Sequence, residues 1–121
     1  MPYDTRLADR VRILLLPLEG FSERKMFGGV GFMLHGNMAC GIVHDLLIVR
    51  VGTEKYADAL RQQHAHFFDF TGRPMTGWVQ IAPEGTATDD SLAFWVRKGV
   101  DTACRLPPKT PKATERSRPM D

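Results

Sequence analysis

Cysteine is scarce in this chain: Cys40 and Cys104 are the only two in 121 residues. They form no CxxC pair and no Cys/His quartet with zinc spacing, so neither a zinc module nor a disulfide framework is encoded. Both read as free thiols in a reducing, cytoplasmic compartment, each a small buried hydrophobe. No apolar secretion segment precedes the first helix, whose start is polar (Asp4, Thr5, Arg6). Long hydrophobic runs are missing as well. The longest, Ile13–Leu16 and Leu46–Val49, fall far short of the roughly 18 apolar residues of a membrane span, so no membrane partner is expected. A dominant charge is also lacking, with 16 basic residues against 14 acidic ones. Over residues 1–104, eleven basic residues face twelve acidic ones, which leaves no cationic surplus for a nucleic-acid backbone. The surplus sits from Arg105 onward, where five basic and two acidic residues share the segment with four prolines. That segment holds too little apolar surface to repay its ordering, and residues 105–121 read as a disordered basic tail after a single domain, 1–104. A weak, salt-sensitive nucleic-acid contact through the tail is the one such role the charges allow.

What is present is a domain-sized pattern. Leu7, Val11, Leu14, Leu15 and Leu18 recur at helical spacing over residues 4–18, with Asp4 or Thr5 as cap and Pro17 and Gly20 as stop. The period then changes to two. Ser22–Phe27 reads as a strand, Val30, Phe32 and Leu34 alternate along the next, and Met38, Cys40 and Ile42 along a third. Gly36-Asn37 and His44-Asp45 read as two-residue turns. Leu46–Val51 is nearly all apolar, which marks a central strand covered on both faces or a strand at a dimer seam. Turns this tight require an antiparallel meander, because a parallel crossover needs a dozen residues or more. Residues 53–64 read as a second helix with Thr53 as cap, His66–Phe70 as a short strand or ordered loop, and Trp78–Ala82 as a last strand. Residues 84–88 read as a loop, and a third helix runs from Thr88 or Asp89 to about Cys104 with Leu92, Val96, Gly99, Val100 and Ala103 inward. The order is α–β(3–4)–α–β–α: an α+β domain, a two-layer antiparallel sheet with packed helices.

The chemistry-bearing residues do not assemble into a known reactive grouping. The glycines of Lys25-Met26-Phe27-Gly28-Gly29-Val30-Gly31-Phe32 invite a phosphate-loop reading, but no Gly-Lys-Ser/Thr follows and Phe32 continues a strand. Glycine in that setting marks a bulge, a bend or a close backbone approach. His64 and His66 have the spacing of a chelating pair on a strand, with Asp69 as the nearby carboxylate; a polar helix end explains them equally well, and no metal is assigned. Arg50 ends an apolar strand and reads as a structural ion pair or an anion contact; Arg73 sits in a Gly-Arg-Pro turn. No nucleophile stands beside a base and an orienting group, so no catalytic residue and no cofactor is assigned.

Several separated motifs together resemble the TfoX/Sxy N-terminal domain family: the Lys25–Phe32 stretch, Gly36-Asn37-Met38-Ala39, Leu47–Val51, and Phe70-Thr71-Gly72-Arg73-Pro74-Met75 with Gly77-Trp78-Val79. They run in order over roughly residues 5–104. The resemblance implies a small α+β domain similar to secretion-chaperone-like folds that dimerise. It further implies regulation of competence genes in bacteria, with the cyclic-AMP receptor protein as partner at promoters. Full-length regulators of that kind carry a second, helical C-terminal domain, whereas here only the proline-rich tail is expected after Cys104. The family's Met-Phe-Gly-Gly stretch maps onto Met26–Gly29 and its Thr-Gly-Arg-Pro-Met onto Thr71–Met75, with no catalytic residue to carry over.

The resulting expectation is a non-enzymatic, homodimeric regulatory or protein-interaction domain of the bacterial cytoplasm. Its candidate ligand- or partner-contacting residues are Lys25, Phe27, Gly28, Gly29, Arg50, Arg73 and Met75. The alternatives are a small-molecule (anion) binder or enzyme with a pocket near Lys25, Arg50 and Arg73, and a nucleic-acid accessory protein acting through its tail.

Overall fold

The computed structural model describes residues 3–26, 28–69 and 74–108. Helix α1 spans Thr5–Leu15, and the Asp4 carboxylate caps it by accepting from the amides of Arg6 (3.0 Å) and Leu7 (3.1 Å). It buries Leu7, Ala8, Val11 and Leu15 along a single stripe. The helix is shorter than the 4–18 expected. It stops two residues before Pro17, which has no amide hydrogen to carry the hydrogen-bond ladder on, although Leu16 still holds helical dihedrals as the cap residue. Leu14, about 100° around the helix from Leu15, and Leu18, past its end, are therefore exposed instead of joining the stripe.

Strands β1 (Phe21–Met26), β2 (Gly29–Leu34), β3 (Asn37–Val43) and β4 (Leu46–Arg50) form the expected meander. Then come a single-turn-scale helix α2 (Tyr56–Leu60), β5 (Ala65–Asp69), β6 (Pro74–Ile81), a 3-10 turn (Pro83–Thr86) and helix α3 (Asp89–Arg105). All six strands pair antiparallel in one sheet of order β1-β2-β3-β4-β6-β5. The α+β, two-layer antiparallel class read from the sequence is the class observed.

Several boundaries move for local reasons. The β2–β3 turn is His35-Gly36, with φ of 51° and 83°, the double left-handed geometry a type I′ turn demands. Asn37, placed in that turn by its sequence, is instead the first residue of β3. It is buried, and its side-chain amide donates to the Pro107 carbonyl at 2.9 Å. His44-Asp45 does join β3 to β4, with His44 at φ 55°. Helix α2 covers only five of the twelve residues expected, and no side chain caps its start; Thr53 does not serve. The loop expected at 84–88 coils into the 3-10 turn after Pro83. Thr88 caps α3 through a reciprocal box with Ser91, and Asp89 and Asp90 sit in the first turn where the dipole favours them. Arg105 closes α3 instead of opening a tail, and residues 109–121 lie outside the described ones.

All three helices contribute to one core on one face of the sheet. Phe32, Cys40, Ile42, Leu47, Val49, Val79 and Ile81 point into it from the strands. Leu7, Val11 and Leu15 of α1, Ala59 of α2, and Leu92, Trp95 and Val96 of α3 close it. Cross-strand partners share a face, so the alternate residues of β2, β3, β4 and β6 point to the opposite side. No described helix packs there.

Candidate functional site

The residues singled out in the sequence scatter over the sheet. Lys25 is exposed on the edge strand β1. Gly28, at φ 76°, lies in the short link between Met26 and Gly29, with open space around its Cα. A side chain on Gly29 would come closer than 3.0 Å to the Ile42 carbonyl oxygen, so this glycine serves close backbone approach. Met75 is exposed on β6, and Arg50 is half-buried at the end of β4. Phe27 and Arg73 fall outside the described residues. Lys25 pairs across from Val30, Val30 from Ile42 and Ile42 from Leu47, which stands three residues before Arg50. The two cations are thus about 14 Å apart across the strands and about 10 Å apart along them. The cavity that Arg50 lines does not include Lys25.

Arg50 has no carboxylate partner within 4.0 Å among the described residues. Its guanidinium lies 5.3 Å from the Trp78 ring centre and donates to the Met38 carbonyl at 3.5 Å. The ion pair expected for it is replaced by an indole face and a carbonyl.

Cys40 is buried in the core, and its thiol is pushed up to about 12 by the loss of hydration, so it stays protonated at neutral pH. Cys104, expected inside, is exposed, one position around α3 from the buried Ala103. His35, His44 and His64 all hold left-handed backbone (φ 51°, 55° and 72°) at turns, and His66 is exposed on β5. Among the described residues, no three of the His, Cys, Asp or Glu side chains gather as a metal site would require.

The coherent surface feature is the helix-free face of the sheet. Gly31 of β2, Gly41 of β3 and Ile48 of β4 follow one another across it. Met33 pairs with Met38, and Val43 with Leu46. All of these are apolar, on a face that an open antiparallel sheet ordinarily fills with polar side chains. The glycines leave a trough, and the Met38 methyl group folds into it, occupying the space a side chain on Gly41 would need. Ile48 is only 2% exposed although it stands outside the helix-side core. Trp78 and Arg50 border this surface at one end. None of Met33, Met38, Leu46, Ile48 and Trp78 figured among the sequence candidates. The available signal lay in the off-phase positions of the strands (Gly31, Met33, Gly41, Val43), which are apolar where alternation calls for polarity.

A second apolar stretch lies at the end of α1, where Ile13 is 72% and Leu16 63% exposed. Among the described residues no helix is long and apolar enough to cross a membrane.

A family model described as the TfoX N-terminal domain matches residues 14–103. The match covers well over half of the chain, from the last turn of α1 to the last turn of α3. No curated protein matches.

Proposed function

The chain belongs to the TfoX N-terminal domain family, and on that premise we propose that it is a non-enzymatic regulatory domain of the bacterial cytoplasm that works by protein contact. The helix-free sheet face is its contact surface, and a second copy of the chain is the first occupant. One observation carries this reading: Met33, Met38, Val43 and Leu46, all partly exposed, form an apolar surface around the buried Ile48 on the side no described helix covers. Apolar area left in water is costly, at about 25 cal/mol per Å². A twofold contact removes it from both copies at once, and a stable pairing should bury at least about 1,000 Å². The Met33–Met38 pair supplies flexible, polarisable side chains that accommodate more than one partner surface. Control of competence genes together with the cyclic-AMP receptor protein is the regulatory setting we propose for that contact.

Sedimentation velocity across micromolar concentrations tests the reading. The unaltered chain should sediment as a dimer. Lysine at Met33 and Leu46 together (M33K/L46K) should give a folded monomer, because each charge would have to be desolvated unpaired. A monomer at every concentration, or a dimer indifferent to both substitutions, contradicts it.

A further inference from the structure

Lys55 and Arg105 face one groove from opposite walls. A cavity of about 480 Å³ lies between α2 and the C-terminal half of α3. A second, of about 360 Å³, continues from it past Gly52 and Gly77 to Trp78 and Arg50. Val51, Lys55, Thr102 and Arg105 line both, so the two are one groove. The backbone holds its floor. The Gly77 carbonyl accepts from the amides of Val51 (2.8 Å) and Gly52 (3.1 Å), and both glycines take left-handed φ. Val51 and Ala59 supply a buried apolar base.

Charge separates this groove from the rest of the domain. Five cations line it (Arg50, Lys55, Arg61, Lys98, Arg105) against three carboxylates (Glu54, Asp58, Asp101). Residues 1–105 as a whole are balanced, twelve basic against twelve acidic. Arg61 is engaged by Asp58 at 3.1 Å, and the Lys98 ammonium sits 4.6 Å from the Phe94 ring. Lys55 and Arg105 have no carboxylate within 4.0 Å among the described residues. The volume falls in the range of small-molecule sites, roughly 300–1,000 Å³. A surplus of two charges is too small to track a nucleic-acid backbone. It suits a compact, multiply charged anion held between two long cationic side chains.

We propose that this groove binds a small phosphorylated molecule bearing a planar ring: Lys55 and Arg105 take the phosphates, and the ring packs at the Trp78–Arg50 end. The inference does not rest on the sheet-face reading, since Met33 and Leu46 line neither part of the groove and a monomer would bind equally well.

Titration of the full chain with ATP, followed by amide and indole NMR signals, tests it. Saturable shifts should fall at residues 51–55 and 98–105 and at the Trp78 indole. Charge reversal in K55E/R105E should weaken ATP about tenfold or more, and M33K/L46K should leave it unchanged. Inorganic pyrophosphate should bind about tenfold more weakly than ATP, because it lacks the ring. If K55E/R105E fails to fold by circular dichroism, K55Q/R105Q decides, with the same direction of effect. No saturable shift up to about 10 mM ATP, equal affinity for pyrophosphate, ATP binding unaffected by removing both cations, or a single-stranded oligonucleotide that outcompetes ATP overturns the proposal.

Discussion

Gly99 of α3 and Ala39 of β3 approach so closely that a methyl group in place of the glycine hydrogen would stand within 3.0 Å of the Ala39 carbonyl oxygen. The contact lets α3 lie directly on the sheet beside the β2–β3 irregularity, where the register shifts between Phe32 and Met33, and it sits next to the small cluster of Leu34, Ala39 and Ala103. The obstacle is backbone and cannot rotate away. Gly99→Ala therefore gains about 0.5–1 kcal/mol in helix propensity but loses more in overpacking, typically 1–3 kcal/mol or above. The expected outcome is a net loss of about 1–2 kcal/mol, read as a fall in melting temperature of about 4–8 °C per kcal/mol. Arg97→Ala, on the exposed side of the same helix, should change stability by no more than about 0.5 kcal/mol.

That contact also shows how far the sequence reaches. Gly99 is legible as an inward residue of the third helix from its spacing to Val96 and Ala103, and the strand alternation of Val30-Phe32-Leu34 and of Cys40-Ile42 locates the core face. These signals are local and periodic. The length of α2 is not legible: Thr53 offers a cap that the structure does not use, no glycine or proline in residues 53–64 marks a stop, and the ordered turn coincides with Tyr56, Ala59 and Leu60, which meet the core. The shift of the β2–β3 turn by one residue is not legible either: His35, a non-glycine residue, takes a left-handed turn position, and Asn37 is buried with a distant partner, the Pro107 carbonyl, seventy positions along the chain. The site is legible to a lesser degree. Charged and glycine-rich motifs drew attention to Lys25, Gly28 and Gly29. The apolar face arises only when three strands, β2, β3 and β4, line up their off-phase residues, and the Lys55–Arg105 groove only when α2 and α3 meet across Val51.

Glu23 and Arg12 tie β1 to α1. Arg12 donates through two nitrogens to the two carboxylate oxygens of Glu23, one of these bonds being 2.8 Å, and also to Asp9 at 2.6 Å. The Arg12 hydrogen bond holds the Glu23 carboxyl below its ordinary value, against a smaller opposing effect of partial desolvation. A carboxylate with a lowered folded-state pKa adds stability that is complete above its unfolded value of about 4.3 and is lost as pH falls through the folded value. Both side chains keep contact with water, so the contribution is at the surface-pair scale, about 0.2–1 kcal/mol. Urea midpoints at pH 7 should be lower for Glu23→Gln than for the unaltered chain. The two should converge as the medium is acidified through pH 4 toward 3, and about 1 M salt should narrow the gap at pH 7.

The two thiols differ in access. Cys40 is enclosed by the core and Cys104 is exposed on α3. A thiol-reactive chromogen at pH 8 should modify one cysteine per chain in the folded protein and two in denaturant. The fast one should disappear in Cys104→Ser. Because burial raises the Cys40 pKa to about 12, ionising it favours the unfolded chain. Its contribution is intact below the unfolded value of about 8.5 and erodes as pH rises toward 12. Modification of Cys40 before Cys104 would contradict the packing described.

Asn37 and Pro107 make the link between the sheet and the chain beyond α3. The Asn37 side chain is buried, and its amide donates to the Pro107 carbonyl at 2.9 Å. Leu106 leaves the helix in extended conformation, which carries Pro107 back over β3. A buried amide without its partner costs about 1–3 kcal/mol. Asn37→Ala should therefore destabilise the full chain by about 1–2 kcal/mol, partly by leaving the Pro107 carbonyl unpaired. Removing residues 106–121 should cost a similar amount, about 1 kcal/mol, since Asn37 then regains water. The informative quantity is the double combination. If the hydrogen bond carries the effect, Asn37→Ala in the shortened chain should cost distinctly less than in the full one, with a coupling of about 0.5–1 kcal/mol in urea unfolding. Strict additivity would place the stabilising role of Asn37 within the sheet, in its own strand, and not in this contact.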